Sequence, residues 1–437
     1  MPAVLCVDVG STFTKAVLVG PDGALLGRAS HPTTVATDVM DGVDAVRAEL
    51  GGQAAAETLV CSSAGGGLQL AVVGYEREVT AEAGYRVGLS AGARVVHVTA
   101  GPMTGPDVAA LRAARPDLVL LVGGTDGGNA DVLVHNARRY ARARVGAPVV
   151  VAGNAQAAAA VTAELDATGR RHLVTANVLP SIGAVAPEGA RSAIREVFLE
   201  HVIGGKGLSR DRGFADLVRA PTPDAVLRGV EVLAQVRGQD VLVVDVGGAT
   251  TDVYSVLTPQ GEDATIRREV VGTVWHARTV EADLGMRWNA GGVVDAAARE
   301  RLPLSPATEA WATGVTAEPG RVATTGPEWA AEESLARAAV TIAARRHGRP
   351  AGPGERPRPL ADVGLVVGSG GVLRHAPAGM AEAVLGATLA DHGGGWRVPD
   401  GADAVVDRDY VLFAVGLLAP RHPVAARALA GSLVGSG

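Results

Sequence analysis

Residues 4–19, VLCVDVGSTFTKAVLV, and residues 241–256, VLVVDVGGATTDVYSV, are two versions of one pattern. In each stretch an apolar run reaches an aspartate, Asp8 or Asp245, a turn of small residues follows, and a second apolar run returns. Short apolar runs bounded by glycine turns predict buried strands joined as a hairpin. Because internal self-similarity indicates a repeated structural unit, we expect two related halves that each begin with such a hairpin.

The chain between the two hairpins has a different pattern. Apolar strands are predicted at residues 58–62, 94–99, 118–122, 148–152 and 172–176, and they alternate with helical segments at 76–91, 107–114, 128–143 and 154–168. Strand–helix alternation at this spacing predicts right-handed βαβ units on a parallel sheet. A helix beginning at Thr222, with Pro223 in its first turn, leads into the second half.

These patterns predict four segments along the chain. Residues 1–56 hold the first hairpin and the start of the first half, and residues 57–180 form an inserted parallel α/β subdomain. Residues 181–240 return to the first half and include the connecting helix, and residues 241–437 form the second half. A chain of 437 residues exceeds the usual size of one hydrophobic core, which agrees with several domains.

Composition narrows the class of protein. The chain is 47% hydrophobic and 20% charged with a net charge of −6, which gives no indication of nucleic-acid or anionic-membrane binding. No apolar run approaches the roughly 20 residues that span a bilayer, and no basic targeting segment precedes the first strand. We therefore expect a soluble, cytoplasmic protein without nucleic-acid or membrane partners.

Cysteine and lysine are both scarce. Cys6 and Cys61 are the two cysteines of the sequence, so a disulfide framework, a zinc site and an iron–sulfur cluster are not expected. The 40 basic residues include two lysines, Lys15 and Lys206. A compact ammonium fitted to a phosphate is not interchangeable with a guanidinium fork, so both lysines are candidates for function, with chance survival as the alternative.

Both hairpin turns suit the binding of phosphate. Small residues at the turns, among them Gly10 in the first and Gly247 and Gly248 in the second, let backbone N–H groups approach phosphate oxygens. The aspartates that end the first strands suit Mg²⁺, which takes one or two carboxylates together with water and nucleotide phosphates. A third loop, VVGSGGVL at residues 366–373, is a strand followed by a glycine-rich turn that could pack against an adenosine.

The order of these motifs identifies a superfamily by resemblance. A phosphate hairpin, a connecting helix, a second phosphate hairpin and an adenosine loop follow one another as in the actin-like ATPase superfamily, whereas neither a GxxxxGK[ST] P-loop nor an opening GxGxxG is present. The resemblance implies an α/β fold with duplicated actin-like (ribonuclease H-like) halves, around the inserted parallel subdomain. It also implies that Mg-ATP binds in a cleft between the halves.

The same resemblance assigns roles by position. It implies that Asp8 and Asp245 organise Mg²⁺, that Lys15 reaches a phosphate, and that Asp252 lies near the γ-phosphate. These four residues form the predicted catalytic set. The residues implied to bind the nucleotide are Gly10, Ser11, Thr12, Gly247, Gly248, Thr250, Gly368, Ser369, Gly370 and Gly371.

One part of the superfamily pattern is missing. Chaperone members carry a glutamate at the start of the connecting helix, but this chain has Ala220, Pro221 and Thr222 there. We therefore expect slow hydrolysis, or a base drawn from Asp8, Asp245 or Asp252, as suits a switch more than a high-turnover enzyme.

Further phrases resemble one family, the glutamate mutase accessory proteins known as MutL, which are unrelated to mismatch repair. The phrases are residues 8–15, PTT at 32–34, TDVM at 37–40, SSAGGG at 62–67, VGGTDGGN at 122–129, NVLP at 177–180, KGL at 206–208, RTVEADLGMR at 278–287 and DRDY at 407–410. The resemblance implies an ATP-dependent reactivating chaperone for an adenosylcobalamin-dependent mutase such as glutamate mutase. The mutase subunits would be its partners.

Other regions are open to two interpretations. The inserted subdomain could dock on the cobalamin-binding part of the mutase, and its glycine-rich loops at 65–67 and 123–129 could bind a second ligand or be ordinary turns. Arg278, Glu281, Asp283 and Arg287 have spacings that would share a helix face, as a cleft element or as a solvated ion-pair network. A homodimer is one option for the oligomeric state.

Three other functions compete with the chaperone. A small-molecule kinase would use the same ATP clamp but needs an acidic base beside a sugar-sized pocket, which the sequence does not identify. An electron-transferring activator needs cysteine ligands near a subunit interface, whereas Cys6 and Cys61 lie in the N-terminal strands. A nucleotide-controlled scaffold is the third.

Overall fold

The computed structural model describes residues 3–51, 55, 57–64, 67–182, 184–203, 208–209, 213–258, 276–350 and 357–433. Lys206 and the glycines at 65 and 66 lie outside these residues. The chain divides into two compact units. The first unit contains the residues up to Arg228 together with Phe413–Ala426, and the second contains Gly229–Thr258, His276–Leu412 and the residues from Arg427.

The first unit contains one five-stranded sheet built around the N-terminal hairpin. Its strands are β1 (Val4–Val9), β2 (Phe13–Val19), β3 (Leu25–Pro32), β4 (Glu57–Ser62) and β10 (Val218–Pro221). The order across the sheet is β3-β2-β1-β4-β10, antiparallel among the first three strands and parallel from β1 onwards. Every residue of β1 is buried, as expected of a strand covered on both faces.

The second unit repeats this topology. Its strands are β11 (Val241–Val246), β12 (Thr251–Val256), β13 (His276–Glu281), β14 (Leu365–Ser369) and β15 (Asp403–Val406). Their order is β13-β12-β11-β14-β15, with the same antiparallel and parallel pairings. The predicted duplicated, ribonuclease H-like fold class of the actin-like ATPases is therefore confirmed.

A third sheet, fully parallel, lies within the first unit. Its strands are β5 (Gln69–Gly74), β6 (Arg94–Ala100), β7 (Leu118–Leu121), β8 (Val149–Val151) and β9 (His172–Val174), in the order β6-β5-β7-β8-β9. This is the doubly wound order of flavodoxin-like sheets. The predicted parallel α/β insertion is therefore present.

Helices cover both faces of the inserted sheet. Alternate residues of its strands pack on one side against α2 (Glu82–Ser90) and α6 (Pro187–Val197), and this core continues into the first sheet. The other side packs against α3 (Gly105–Ala114), α4 (Asp131–Arg142) and α5 (Ala158–Asp166). Burial on both faces explains why the strands read as continuous apolar runs.

The remaining helices complete the two units. In the first unit they are α1 (Val39–Glu49) and α7 (Gly213–Leu217), and α8 (Thr222–Arg237) continues into the second unit. The others are α9 (Ala290–Arg299), α10 (Pro306–Ala317), α11 (Gly326–Gly348), α12 (Gly371–Arg374), α13 (Met380–Leu389), α14 (Leu412–Leu418) and α15 (Pro423–Ser432). Among the described residues, none of these helices combines the length and apolar character needed to cross a membrane.

One predicted strand belongs to a different sheet. Residues 58–62 were expected to open the inserted sheet, but β4 pairs in parallel with β1, with Val4 opposite Glu57. That prediction is wrong, and the first strand of the inserted sheet is β5, which the sequence pattern did not reveal. A buried parallel strand is an apolar run in either sheet, so periodicity alone does not assign its partner.

The segment at residues 278–287 also differs from its prediction. Arg278, Glu281, Asp283 and Arg287 do not share a helix face, because β13 runs to Glu281 and a turn follows. Every one of the four is nevertheless ion-paired, with Asp252, Arg346, Arg346 and Glu332 respectively. The ion-pair interpretation is therefore the better of the two.

Candidate nucleotide-binding site

Hairpin 1, the connection between β1 and β2, closes through one tight turn. The Gly10 N–H donates to the carbonyl oxygen of Phe13 at 3.1 Å. A Cβ on Gly10 would lie 2.8 Å from that same oxygen. A larger residue would therefore push the turn open, which explains the glycine.

Thr33 anchors one side of hairpin 1. Its hydroxyl donates to the Gly10 carbonyl at 2.9 Å, and its backbone N–H donates to the Thr12 carbonyl at 2.9 Å. In a planar trans peptide the next residue's N–H points opposite to the carbonyl. The N–H groups of Ser11 and Phe13 are therefore directed to the other side of the turn.

Hairpin 2, between β11 and β12, has the same closure. The Gly247 N–H donates to the Thr250 carbonyl at 2.9 Å, and a Cβ on Gly247 would lie 2.8 Å from that oxygen. The corresponding distance from a Cβ on Gly10 to the Phe13 carbonyl oxygen is also 2.8 Å. The duplication is therefore preserved in the conformation of the turn.

The carbonyls of hairpin 2 are anchored by the segment after β13. The N–H groups of Met286 and Arg287 donate to the carbonyls of Gly247 and Gly248 at 3.0 and 2.8 Å. The Asn289 side-chain amide donates to the Ala249 carbonyl at 2.7 Å. By the same peptide geometry, the N–H groups of Gly248, Ala249 and Thr250 face away from these anchors. Successive amides with one orientation form the kind of concavity that binds phosphate oxygens.

The carboxylate of hairpin 1 is held by two buried groups. Asp8 is 2% exposed, and its Oδ1 accepts a hydrogen bond from the Thr222 hydroxyl at 2.5 Å. The Cys61 thiol lies 3.6 Å from the same oxygen, and burial, with Asp8 second, raises the pKa of this thiol well above its usual value. The thiol therefore stays protonated and can donate.

Thr222 gives a structural meaning to the missing glutamate. It is the first residue of α8, the position where an acidic side chain was expected from the superfamily pattern. A hydroxyl there orients Asp8 but is not a carboxylate base. The sequence gave no signal for this contact, because 214 residues separate the two partners.

Lys15 and Asp252 occupy equivalent positions in the two hairpins. Lys15 is the cross-strand partner of Asp8, and Asp252 is the cross-strand partner of Asp245. Lys15, Asp245 and Asp252 are all half-buried. Around the first turn, Ser11 is exposed and Thr12 is half-buried.

Asp252 forms an ion pair within the second unit. The Arg278 guanidinium donates to its Oδ1 from Nε at 2.9 Å and from Nη2 at 2.6 Å, and the Thr250 hydroxyl donates to Oδ2 at 3.2 Å. Arg278 is 6% exposed and also lies over the Tyr254 ring, with Cζ 5.9 Å from the ring centroid. Asp252 is thus charge-balanced, and its predicted catalytic role remains a prediction.

The predicted adenosine loop lies directly beside hairpin 2. β14 pairs in parallel with β11, so that Ser369 is opposite Asp245. Gly370 has φ = +98°, and a Cβ there would lie 2.1 Å from the Val246 carbonyl oxygen. Only glycine fits this approach. Gly368 and Ser369 are buried, whereas Gly371 is exposed at the start of α12.

The structure therefore groups the predicted residues in two sets. Asp8, Gly10, Ser11, Thr12 and Lys15 lie together at hairpin 1 in the first unit. The second unit brings together Asp245, Gly247, Gly248, Thr250, Asp252 and the loop at 368–371. Residues that sequence reasoning missed are Thr33, Cys61 and Thr222.

The donor chemistry of the hairpins suits magnesium. Mg²⁺ prefers oxygen ligands and keeps several waters. Asp8 and Asp245 supply carboxylate oxygens, and the Thr222 hydroxyl fixes one oxygen of Asp8. Each hairpin by itself therefore offers carboxylate oxygens of the kind that this ion takes.

The glycine-rich loop after β7 is held by side chains from two later loops. Asp126 accepts from the Ala155 N–H and from the Asn177 amide, both at 2.9 Å. Asn154 donates to the Gly128 carbonyl at 3.0 Å, and Asn129 accepts from the Asp131 N–H at 2.9 Å. The polar side chains thus serve the loop itself, as the ordinary-turn interpretation predicted.

Solved structures resemble the chain only distantly. Component A of (R)-2-hydroxyglutaryl-CoA dehydratase from Acidaminococcus fermentans is 9% identical, covers 98% of this chain and 99% of its own, and has a TM-score of 0.31. A ROK family glucokinase from Streptomyces griseus, in complex with glucose and AMPPNP, is 13% identical with coverages of 98% and 99% and a TM-score of 0.36. Both scores are below 0.5, so the fold assignment rests on the repeated strand order.

Sequence comparison is far more specific. The curated relative "Protein MutL" of Clostridium tetanomorphum is 33% identical over 450 residues, which cover 97% of each chain. A family model described as "MutL protein" matches residues 4–433. The family resemblance inferred from the motifs is confirmed, and the chain belongs to the MutL protein family.

Proposed function

We propose that the protein binds Mg-ATP through hairpins 1 and 2, hydrolyses it slowly, and acts as the reactivating chaperone of an adenosylcobalamin-dependent mutase such as glutamate mutase. The repeated hairpin is the observation that supports nucleotide binding. In both units an aspartate is the next-to-last residue of a buried strand, and a glycine closes the turn that follows. The carbonyls of each turn are anchored by hydrogen bonds, so that the neighbouring N–H groups face away from the anchoring residues. Family membership supports the mutase as partner.

The roles of the residues follow from their positions. The N–H groups that face away from the anchored carbonyls in the two turns would bind phosphate oxygens, and Lys15 would place its ammonium on a β- or γ-phosphate. Asp8 and Asp245 would orient the hydrated Mg²⁺, which neutralises phosphate charge when bound. Gly368, Ser369, Gly370 and Gly371 would line the adenosine, since the loop that holds them adjoins hairpin 2.

Slow hydrolysis follows from the first turn of α8. A catalytic base must lie within hydrogen-bonding reach of the attacking water, and Thr222 is neutral at the position where the superfamily pattern has an acid. Asp8 or Asp245 would then act as base. A long-lived ATP state suits a switch, because nucleotide shifts a conformational equilibrium only through contacts that differ before and after hydrolysis.

The test compares carboxylate variants in two assays. Isothermal titration calorimetry with Mg-ATP should show at least about tenfold weaker binding for Asp8→Ala and for Asp245→Ala, because charge-assisted contacts are lost. Asp44→Ala is the matched control, since Asp44 is an exposed carboxylate on α1. Recovery of inactivated mutase with ATP is the second assay.

The two assays separate the two halves of the proposal. ATP binding at wild-type strength by both Asp8→Ala and Asp245→Ala would overturn the nucleotide site. Tight ATP binding by the wild type without any ATP-dependent recovery of the mutase would overturn the chaperone role and leave the site intact.

A further inference from the structure

A row of exposed arginines marks one edge of the inserted sheet. Four of its five strands have such a residue at or before their amino ends: Arg94 opens β6, Arg115 precedes β7, Arg144 precedes β8, and Arg171 precedes β9. In a parallel sheet all amino ends lie at the same edge. With neighbouring strands about 4.8 Å apart, the row from β6 to β9 spans roughly 19 Å. We call these four residues the arginine row.

Hydrogen bonds show that the row is continuous. The Arg112 guanidinium, at the end of α3, donates to the Ala143 carbonyl from Nε at 2.7 Å, which joins the segment of Arg115 to that of Arg144. The Arg170 guanidinium donates to the Val145 carbonyl at 2.8 Å, which joins Arg144 to Arg171.

The other end of the row is connected through β5. Gln69 is the cross-strand partner of Arg94, and its N–H donates to Asp117 Oδ2 at 2.8 Å, two residues after Arg115. The whole edge is therefore one surface.

Helix ends account for only part of the row: Arg115 is the C-cap of α3, and Arg144 follows the C-cap of α4, whereas Arg94 and Arg171 open or precede strands. Cations are favoured near helix C-termini, where carbonyl groups lack partners. At the end of α4 this purpose is served by Arg112 and Arg170, which donate to the carbonyls of Ala143, Ala141 and Val145. Within the described part of the chain, the guanidinium groups of the arginine row have neither a hydrogen bond nor an ion pair, so four forks face solvent together.

We infer that the arginine row is a docking surface for an acidic face of a protein, and that this protein is the mutase. The inference rests on the proposed function for the identity of the partner. Guanidinium forks bind carboxylates in bidentate geometry, and arginine is enriched at protein interfaces. On a chain with a net charge of −6, this row is a local positive surface that would attract an acidic face of a partner.

Charge and composition favour a protein over other polyanions. Nucleic-acid binders usually combine a strongly basic domain with aromatic stacking or many phosphate contacts, whereas aromatic residues make up 3% of this chain. Carboxylates are also present at this edge: Asp117 lies two residues after Arg115, and Asp166 lies 3.8 Å from His172, the residue after Arg171.

The test measures association with the purified, full-length mutase by surface plasmon resonance. A variant with all four residues of the row changed from Arg to Glu should associate at least about tenfold more slowly than the wild type. It should also lose its sensitivity to ionic strength between about 50 and 300 mM salt, because electrostatic steering is screened over this range. ATP affinity should be unchanged.

The matched control carries the same change in charge elsewhere. Arg237, Arg301, Arg397 and Arg427 are exposed, belong to the second unit and lie on separate elements. A variant with all four of these residues changed from Arg to Glu should associate with the mutase at a rate close to that of the wild type. If the row variant folds poorly, the association rate of the wild type with the mutase is measured as a function of salt concentration instead. An electrostatic docking surface requires that this rate fall steeply as salt increases.

Each outcome has one meaning. Equal association by the row variant and the wild type, or wild-type association that is independent of salt, would overturn the docking surface. Row-dependent binding to a DNA duplex or to anionic phosphatidylserine vesicles, with none to the mutase, would assign the row to a different polyanion and overturn the inference. A wild type that binds ATP but never the mutase would overturn the proposed partner itself.

Discussion

Hairpins 1 and 2 share a backbone but differ in what their side chains do. Both close through a glycine N–H to the carbonyl three residues on, at 3.1 and 2.9 Å. Opposite the strand-ending aspartate, however, hairpin 1 has Lys15 and hairpin 2 has Asp252. The two hairpins thus share the turn, but the residue opposite the aspartate is positively charged in the first and negatively charged in the second.

Each hairpin balances its carboxylates in a different way. In hairpin 1 a neutral hydroxyl, Thr222, donates to Asp8, and Lys15 lies opposite Asp8 on the neighbouring strand. In hairpin 2 the extra carboxylate of Asp252 is balanced by the buried guanidinium of Arg278. The carboxylate of Asp252 is therefore paired with a guanidinium within its own unit, whereas the contact of Asp8 with Thr222 is to a neutral group.

The strands behind the hairpins also differ. Leu18 and Ala29 of the first sheet correspond in register to Ser255 and Thr279 of the second. The two hydroxyl residues lie 2.9 Å from opposite ring nitrogens of the buried His347. The second unit thus contains a polar core contact that an apolar pair replaces in the first.

The largest effect should come from breaking the ion pair of hairpin 2. Arg278→Met leaves Asp252 partly buried without its cation, which should lower the free energy of unfolding by about 3 kcal/mol. Lys15→Met, at the position equivalent to Asp252, should weaken ATP binding, because the proposed contact of its ammonium with a phosphate is lost. Urea unfolding and calorimetry measure the two quantities.

A reversed pattern would contradict this comparison. If Lys15→Met binds ATP as tightly as the wild type, the ammonium of Lys15 does not contact a phosphate. If Arg278→Met leaves stability unchanged, the guanidinium is not what balances Asp252.

An intermediate effect is expected from the hydroxyl that holds Asp8. Thr222→Val removes the shorter of the two hydrogen bonds to Asp8 Oδ1 and leaves that of the Cys61 thiol, which should cost about 1–2 kcal/mol of stability and lower the rate of ATP hydrolysis by roughly tenfold. Thr222→Ser, which keeps the hydroxyl, should restore the rate. Steady-state ATPase assays measure it.

Thr251→Val is the control for that measurement. Thr251 is also buried, but its hydroxyl donates to the Leu284 carbonyl rather than to a carboxylate. It should lose similar stability and keep its ATPase rate. An unchanged rate in Thr222→Val would show that the hydroxyl is only a packing contact.

The smallest effect concerns pH and the second unit. Burial, with Arg358 second, lowers the pKa of His347 well below its usual value. The unfolded state therefore binds the proton first, so stability should fall as pH drops below about 6.5, by at most roughly 1.4 kcal/mol per pH unit. In His347→Gln this component should vanish, as urea unfolding from pH 7.5 to 5 would show; parallel curves for the two proteins would refute it.

Local patterns predicted much of the fold and the candidate site. The two hairpins, the inserted parallel sheet and α8 follow from apolar runs, glycine turns and helix signals, because these depend on residues close in sequence. The glycines at 10, 247 and 370 were predictable for the same reason, since a tight turn or a close backbone approach excludes a Cβ wherever it occurs.

Long-range pairings were not predictable. The sequence placed 58–62 in the wrong sheet and left β5 unassigned, because a buried strand does not specify its neighbour. The contact between Asp8 and Thr222 joins residues 214 positions apart, and the charge balance of Asp252 required a third strand to bring Arg278 beside it.

The sequence by itself determined the family, the duplicated hairpins and the identity of the strand-ending aspartates. Tertiary structure alone decided which carboxylate is held by a hydroxyl, which is held by a guanidinium, and where the exposed arginines align. The reason is physical: turn geometry is set by steric limits within a few residues, whereas the partner of a buried charge is set by which distant segments pack beside it.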